Sequence, residues 1–266
     1  MGLSLSKLLR TLQSEFPRLK GLKDSYYYYS RKLLSKPHES DFLALRFIPD
    51  DLPGCYVDVG ANHGQSIEAI KAVKKRARVY SFEANGMLAE RLIARYRGRS
   101  DITVQPFGLA DEELRLTLYV PAYNGFVYDG LASFDKASAA NWLNPDTLYW
   151  FSPKKLVLQE TTCVTRRFDD QGLEPLFIKI DVQGYEYQVI KGGVETIRRH
   201  EPVLLIEDFH WEQEIGALLG SLGYQQYLFD ESGFYPGRDD AAMNKFLMTP
   251  KRAATLKLSP RAVQAR

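Results

Sequence analysis

Cysteine is scarce in this 266-residue chain: Cys55 and Cys163 are the only two. That number excludes a disulfide framework, and a reducing compartment is the simpler reading. Histidine is scarce as well, and residues 38, 63, 200 and 210 have no zinc-ligand spacing with each other or with the cysteines. No apolar run reaches the roughly 18 residues that a membrane-spanning helix needs. The N-terminus has no apolar block followed by a small-residue cleavage pattern. The chain is therefore expected to be cytoplasmic, with no integral membrane contact. Charge of one sign is missing too: 35 Lys plus Arg against 33 Asp plus Glu leave a net +2 with no long block. That balance offers no footprint for a nucleic-acid partner.

Leucines and aromatics lie among Lys and Arg in residues 1–46, interrupted by Pro17 and Gly21. They predict an N-terminal helical segment that covers part of the core or makes a subunit contact, which would allow a homo-oligomer. From Cys55 the pattern changes. CYVDV, RVYSFEA and DITVQPFGLAD read as strands, separated by the helical stretches QSIEAIKAVKK and GMLAERLIARY. After a break at residues 114–165 the rhythm returns with LFIKIDV, PVLLIEDF, YQQYLFD and NKFLMT as strands, and ESGFYPGRDDAAM as a loop. Strand and helix in alternation imply parallel pairing through right-handed crossovers. The expected fold is α/β: a doubly wound, mostly parallel, seven-stranded, Rossmann-like sheet. The expected domain spans residues 47–250, with 114–165 inserted as a loop or hairpin, and residues 251–266 form a solvated basic tail.

In such a sheet the ligand sits beyond the carboxyl ends of the strands, where chain order reverses. Asp58, Gly60, Asn62 and Gly64 form D-x-G-x-N-x-G after the first strand. This is near a dinucleotide fingerprint but lacks its phosphate-binding spacing. An acid at the strand end also suits a cationic amino group better than a diphosphate. Glu83, ending the second strand, can accept from both hydroxyls of a ribose, a device that nicotinamide cofactors share. Asp111, in FGLAD, could face an adenine amino group. An amino acid joined to an adenosine would satisfy all of these positions.

The set VDVGANHG, FEANG, GLAD, IKIDVQGYEYQVIKGG and LLIEDF resembles the FkbM-type family of S-adenosylmethionine-dependent methyltransferases, within the class I superfamily. The resemblance runs from about Tyr56 to Leu228. It implies methyl transfer from S-adenosylmethionine to an oxygen, commonly a hydroxyl of a sugar or natural product. It would place Asp58, Gly60, Asn62 and Gly64 around the methionine end of the cofactor, Glu83 at its ribose and Asp111 at its adenine. Two residues depart from the family's usual pattern: Ala84 stands in place of proline and Gln183 in place of glutamate.

Asp181, directly after FIKI, can hold the cofactor amino group, handle a substrate proton or cap the next helix. Lys179 shares its face on an ideal strand and could pair with Asp181 or Glu186. Glu207, Asp208 and His210 cluster where the fifth core strand ends, and His210 is either a general base or a polar cap. Asp181, Glu207 and His210 are thus the candidate catalytic residues. Asp181, Glu207 and Asp208 also match the oxygen donors that hold Mg²⁺ in catechol-type methyltransferases on this fold, but the principal reading assigns no metal. Tyr123, Phe126, Tyr128, Trp142, Tyr149 and Trp150 of the insertion could stack on a hydroxylated small-molecule acceptor, with Asn124 and Asp129 meeting its hydroxyls. The rivals are a nicotinamide oxidoreductase and a non-catalytic interaction protein.

Overall fold

The computed structural model describes residues 5–15, 40–207, 209–211 and 213–264. The readings of residues 16–39, including the YYYY run, and of Asp208 fall outside them. The chain forms two compact units, one of Met1–Leu34 with Arg115–Cys163, the other of Ser35–Leu114 with Val164–Arg266.

The strands in chain order are β1 (Cys55–Val59), β2 (Val79–Phe82), β3 (Ile102–Gln105), β4 (Gly108–Ala110), β5 (Arg115–Tyr123) and β6 (Phe126–Val127). They continue with β7 (Leu156–Arg167), β8 (Pro175–Ile180), β9 (Val203–Glu207), β10 (Gln225–Phe229), β11 (Phe234–Pro236) and β12 (Asn244–Met248). The larger unit holds an eight-stranded sheet in the order β11-β10-β12-β9-β8-β1-β2-β3. The block β3-β2-β1-β8-β9 is parallel throughout. After β3 the chain crosses to the far side of β1, so the reversal of order lies between β1 and β8, where an open sheet forms its crevice.

The sheet is mixed, which corrects the expectation of a mostly parallel sheet of seven strands. β12 runs antiparallel to both β9 and β10. β11 adds an eighth strand, antiparallel to β10. It lies inside the stretch whose Gly, Pro and Asp content reads as loop. What makes it a strand is Phe234, wholly buried, together with a turn in which Asp230 Oδ1 accepts from the amides of Ser232 and Gly233. DITVQPFGLAD also divides into two strands. β3 stays in the main sheet, and beyond Pro106, which has no N–H for a ladder, β4 pairs with Thr165–Arg167 of β7.

Both faces of the parallel block are buried, which is why its strands read as nearly continuous apolar runs. Alternate residues serve two cores. Tyr56, Phe177, Val203 and Leu205 meet Phe42, Leu45 and Ile48, from and just beyond the 3-10 helix Ser40–Phe47, and Ile67 and Ile70 of the helix Gln65–Val73. Val57, Val59, Ile178, Ile180, Leu204 and Ile206 meet Val189, Ile190, Ile197 and Leu219 on the other side. Helices thus cover both faces, as a doubly wound arrangement requires.

The basic C-terminal stretch is not a solvated end through residue 264. Lys257 N donates to Phe47 O at 2.9 Å, Ser259 N donates to Phe234 O at 2.8 Å, and Leu256 is buried.

The smaller unit has its own core of Tyr123, Phe126, Tyr128, Leu143 and Leu148. Its helix Leu5–Glu15 is tied to it by polar contacts. Tyr149 N donates to Thr11 Oγ1 at 2.9 Å, Asn124 Nδ2 to Ser14 O at 3.1 Å, and the Tyr128 hydroxyl to Arg10 O at 3.1 Å.

Candidate active site

Three neighbouring strands set a buried polar row at the carboxyl end of the larger unit's sheet. Asp58 of β1 is in register with Ser81 of β2 and Lys179 of β8. All three side chains point to the face that holds Tyr56 and Phe177, and each is buried. Ser81 Oγ donates to Asp58 Oδ2 at 2.8 Å. Asp58 Oδ1 is buried with no hydrogen-bond partner. Burial pushes the Asp58 carboxyl up to about 6, against the opposing pull of Ser81, Lys179 and the Ser66 hydroxyl, which lies near the carboxyl without reaching Oδ1 in hydrogen-bond geometry.

The turn after β1 is shaped by close backbone approach. At Gly60, with φ of 90°, a Cβ would lie 1.8 Å from the carbonyl oxygen of Asp181, so only glycine lets the turn lie against the end of β8. Asn62, at φ of 47°, keeps a left-handed backbone, and its Oδ1 is also buried with no hydrogen-bond partner. Gly64 then opens the helix Gln65–Val73 at φ of 84°.

Glu83 joins this turn to the next one. Its Oε2 accepts from Asn62 N at 2.6 Å and its Oε1 from Asn85 N at 2.8 Å. Each carboxylate oxygen keeps a second lone-pair direction. Burial drives the Glu83 carboxyl up to about 7, although both amide bonds pull it down. The folded protein therefore holds a proton that an unfolded chain, at about 4.5, releases earlier. Stability should fall as pH rises from about 4.5 to about 7, by on the order of 3 kcal/mol, since each pH unit of difference is worth about 1.4 kcal/mol. In Glu83→Gln, denaturant melts at stepped pH should lose this decline except for the part due to Asp58, which ends near pH 6. An unchanged pH dependence would show that Glu83 is already ionised in the folded protein.

Beyond β8, Asp181 gathers three partners. Its Oδ1 accepts from Gln183 Nε2 at 3.1 Å, its Oδ2 lies 3.6 Å from Lys179 Nζ, and the Glu207 carboxyl hydrogen-bonds to it. Burial works to raise the Asp181 carboxyl, but the Glu207 hydrogen bond, the Lys179 charge and the Gln183 amide outweigh it and hold it below the usual range. Glu186, the other partner considered for Lys179, is used elsewhere. Its Oε1 accepts from Val182 N and Gly184 N, both at 3.2 Å, and so closes the loop that carries Gln183.

Asp111 forms an ion pair with Lys191 at 2.6 Å, at the end of the helix Glu186–Gly192. His210 is exposed, and its carbonyl accepts from Gln213 N at 3.3 Å. Among the described residues no group of three or more His, Cys, Asp and Glu is placed to hold a metal ion. In the smaller unit Tyr123, Phe126 and Tyr128 are core residues, so they cannot stack on an acceptor, whereas Trp150 is 85% exposed and Trp142 44%.

Sequence reading passed over Ser81, Asn85, Asn244 and Asp41. Ser81 carries a usable signal, a polar residue inside VYSF two positions before Glu83 and hence on its face. Asn244 opens β12 opposite Glu207, and its Nδ2 donates to Asp41 Oδ2 at 3.0 Å. Separation in sequence hides that link.

The acceptors left in the β1 turn are all oxygens: Asp58 Oδ1, Asn62 Oδ1 and the second lone pairs of Glu83. A ligand with a cationic amino group and vicinal hydroxyls fits such a set, and a diphosphate does not. The model of the methyltransferase FkbM domain family matches residues 58–247, well over half of the chain. Among solved structures, the chain is similar to a methyltransferase FkbM from Methylobacillus flagellatus KT, at 19% identity and a TM-score of 0.46 over 78% of this chain and 47% of that one. It thus spans about half the length of that protein. It is also similar to an rRNA methylase from Streptococcus thermophilus, at 14% identity and a TM-score of 0.37 over 82% of this chain and 93% of that one. A precorrin-6y C5,15-methyltransferase from Geobacter metallireducens GS-15 is similar at 13% identity and a TM-score of 0.36, over 79% and 87% of the two chains. No curated protein matches the chain.

Proposed function

Because the chain belongs to the FkbM methyltransferase domain family, we propose that it transfers a methyl group from S-adenosylmethionine to an oxygen, a hydroxyl of a sugar or another small natural product. The Asp181 carboxylate, held by Lys179 and Gln183 at the strand ends, carries this reading. A hydroxyl becomes a good nucleophile as it loses its proton, and an anionic carboxylate within hydrogen-bond reach can take it. An amine with a free lone pair needs no such base.

Asp58 and Asn62 would receive the amino end of the cofactor on their unpartnered oxygens, and Glu83 would receive its ribose hydroxyls. Asp111 would meet the adenine. When bound, S-adenosylmethionine supplies an electrophilic methyl carbon on a sulfonium. Asp181 accepts the acceptor's hydroxyl proton at its carboxylate. Lys179 and Gln183 keep that carboxylate in place, and positioning supplies much of the remaining rate.

The test is an assay with methyl-labelled S-adenosylmethionine against matched acceptors, hydroxylated sugars and phenols on one side and their amine counterparts on the other. Label is expected on the hydroxyl compounds. Label on amines alone would contradict transfer to oxygen.

A further inference from the structure

Lys179 is 1% exposed, in a strand otherwise made of apolar residues and proline. A lysine so buried requires partners, because desolvation of an unpaired ammonium is costly. Its Nζ lies 3.6 Å from Asp181 Oδ2 and 3.5 Å from Asn244 Oδ1. Asn244 is oriented in turn, since its Nδ2 donates to Asp41 Oδ2 on the 3-10 helix Ser40–Phe47. An amide whose NH₂ is engaged by a carboxylate must turn its carbonyl the other way, here toward the ammonium. The chain Asp41–Asn244–Lys179–Asp181–Glu207 therefore runs across the 3-10 helix, β12, β8 and β9. Among the described residues, the charged and titratable groups around Lys179 are Asp58 from β1, Asp181 from its own loop, Glu207 from β9 and, through Asn244, Asp41.

We propose that Lys179, oriented by Asn244, is a positioning residue that holds the Asp181 carboxylate in place as an anion. The assignment follows from the contacts. The ammonium lies beside Asp181, and Asp181 also receives the Gln183 amide. Asn244 is the register partner of Glu207 across β12 and β9, so the element that orients the ammonium also borders the Glu207 carboxyl. In the proton transfer the acceptor hydroxyl's O–H bond breaks and a proton joins Asp181. No oxidant or metal is needed. The consequence for the reaction rests on the methyl-transfer reading above, but the charge state of Asp181 does not.

The test separates the two. Carboxyl ¹³C chemical shifts of Asp181 are followed against pH in the ligand-free wild type, Lys179→Met and Asn244→Ala. The Asp181 midpoint is expected to rise by about one pH unit or more in Lys179→Met, the size of shift that loss of a nearby opposite charge produces. A smaller rise in the same direction is expected in Asn244→Ala, which keeps the ammonium but releases its orientation. An Asp181 midpoint unmoved in the folded variants overturns the proposal. If Lys179→Met does not fold, Asn244→Ala decides alone. In the methyl-transfer assay, the pH at which turnover reaches its plateau should move with the midpoint while the dissociation constant for S-adenosylmethionine stays within about threefold of wild type. A moved midpoint with an unmoved plateau overturns the role in proton transfer. A wild type that methylates no hydroxyl removes the methyl-transfer reading and leaves the carbon shifts to decide the charge state.

Discussion

Asp181→Asn is expected to lower turnover about 100- to 10,000-fold, the usual worth of a general base. The amide cannot take a proton from the acceptor hydroxyl, though it keeps the shape of the carboxylate. Asp181 sits just past the end of β8 with a side chain 31% exposed, so the fold should survive. Melting temperature should shift by a few degrees at most, and the affinity for S-adenosylmethionine should change less than turnover does. That split between kcat and binding is the signature of a group that acts on the reacting proton. Turnover within about threefold of wild type would remove Asp181 from proton handling.

Gly60→Ala is expected to be the most damaging single methyl in the larger unit's turns. The left-handed backbone at φ of 90° alone costs a non-glycine residue about 1 to 3 kcal/mol. The added Cβ would also sit 1.8 Å from a backbone oxygen that no side-chain rotation can move. A loss of more than about 4 kcal/mol is therefore expected in chemical denaturation, at the far end of what point mutations do. Any protein that still folds should lose both cofactor binding and turnover, because the residue that must yield is Asp181. Gly98→Ala supplies the control. Gly98 has φ of 82° with nothing within 4 Å of its Cβ position, so it reports backbone strain without collision. Equal destabilisation of the two variants would mean that the approach of the β1 turn to Asp181 is looser than described.

The strands of the parallel block were legible because both of their faces are buried, and CYVDV and LFIKI leave few other readings. β11 was not, since its glycine and proline neighbours carry the signal of a turn, and only the burial of Phe234 makes it a strand. The mixed character of the sheet was hidden for a related reason. Antiparallel β12 is as apolar as its parallel neighbours, and direction leaves no mark on composition.

In the site, acids at strand ends marked Asp58, Glu83 and Asp181. The i,i+2 spacing on a strand also marked the Lys179–Asp181 pair. What hid was everything that depends on distant residues. The Asp111–Lys191 and Asn244–Asp41 contacts span 80 and 203 positions. The aromatics of residues 119–151 show the opposite limit, because a packed core and a stacking platform use the same residue types. Only burial separates Tyr123 from Trp150.

Titration calorimetry with S-adenosylmethionine near pH 6.5, in two buffers of different ionisation enthalpy, reads cofactor binding and its proton balance together. Micromolar binding with release of protons is expected, because an amino group at Asp58 and ribose hydroxyls at Glu83 favour the ionised form of carboxyls raised to about 6 and about 7. Glu83→Gln should bind more weakly by about 1 to 3 kcal/mol and release fewer protons. Absence of binding by the wild type in either buffer would mean that the β1 turn does not hold S-adenosylmethionine.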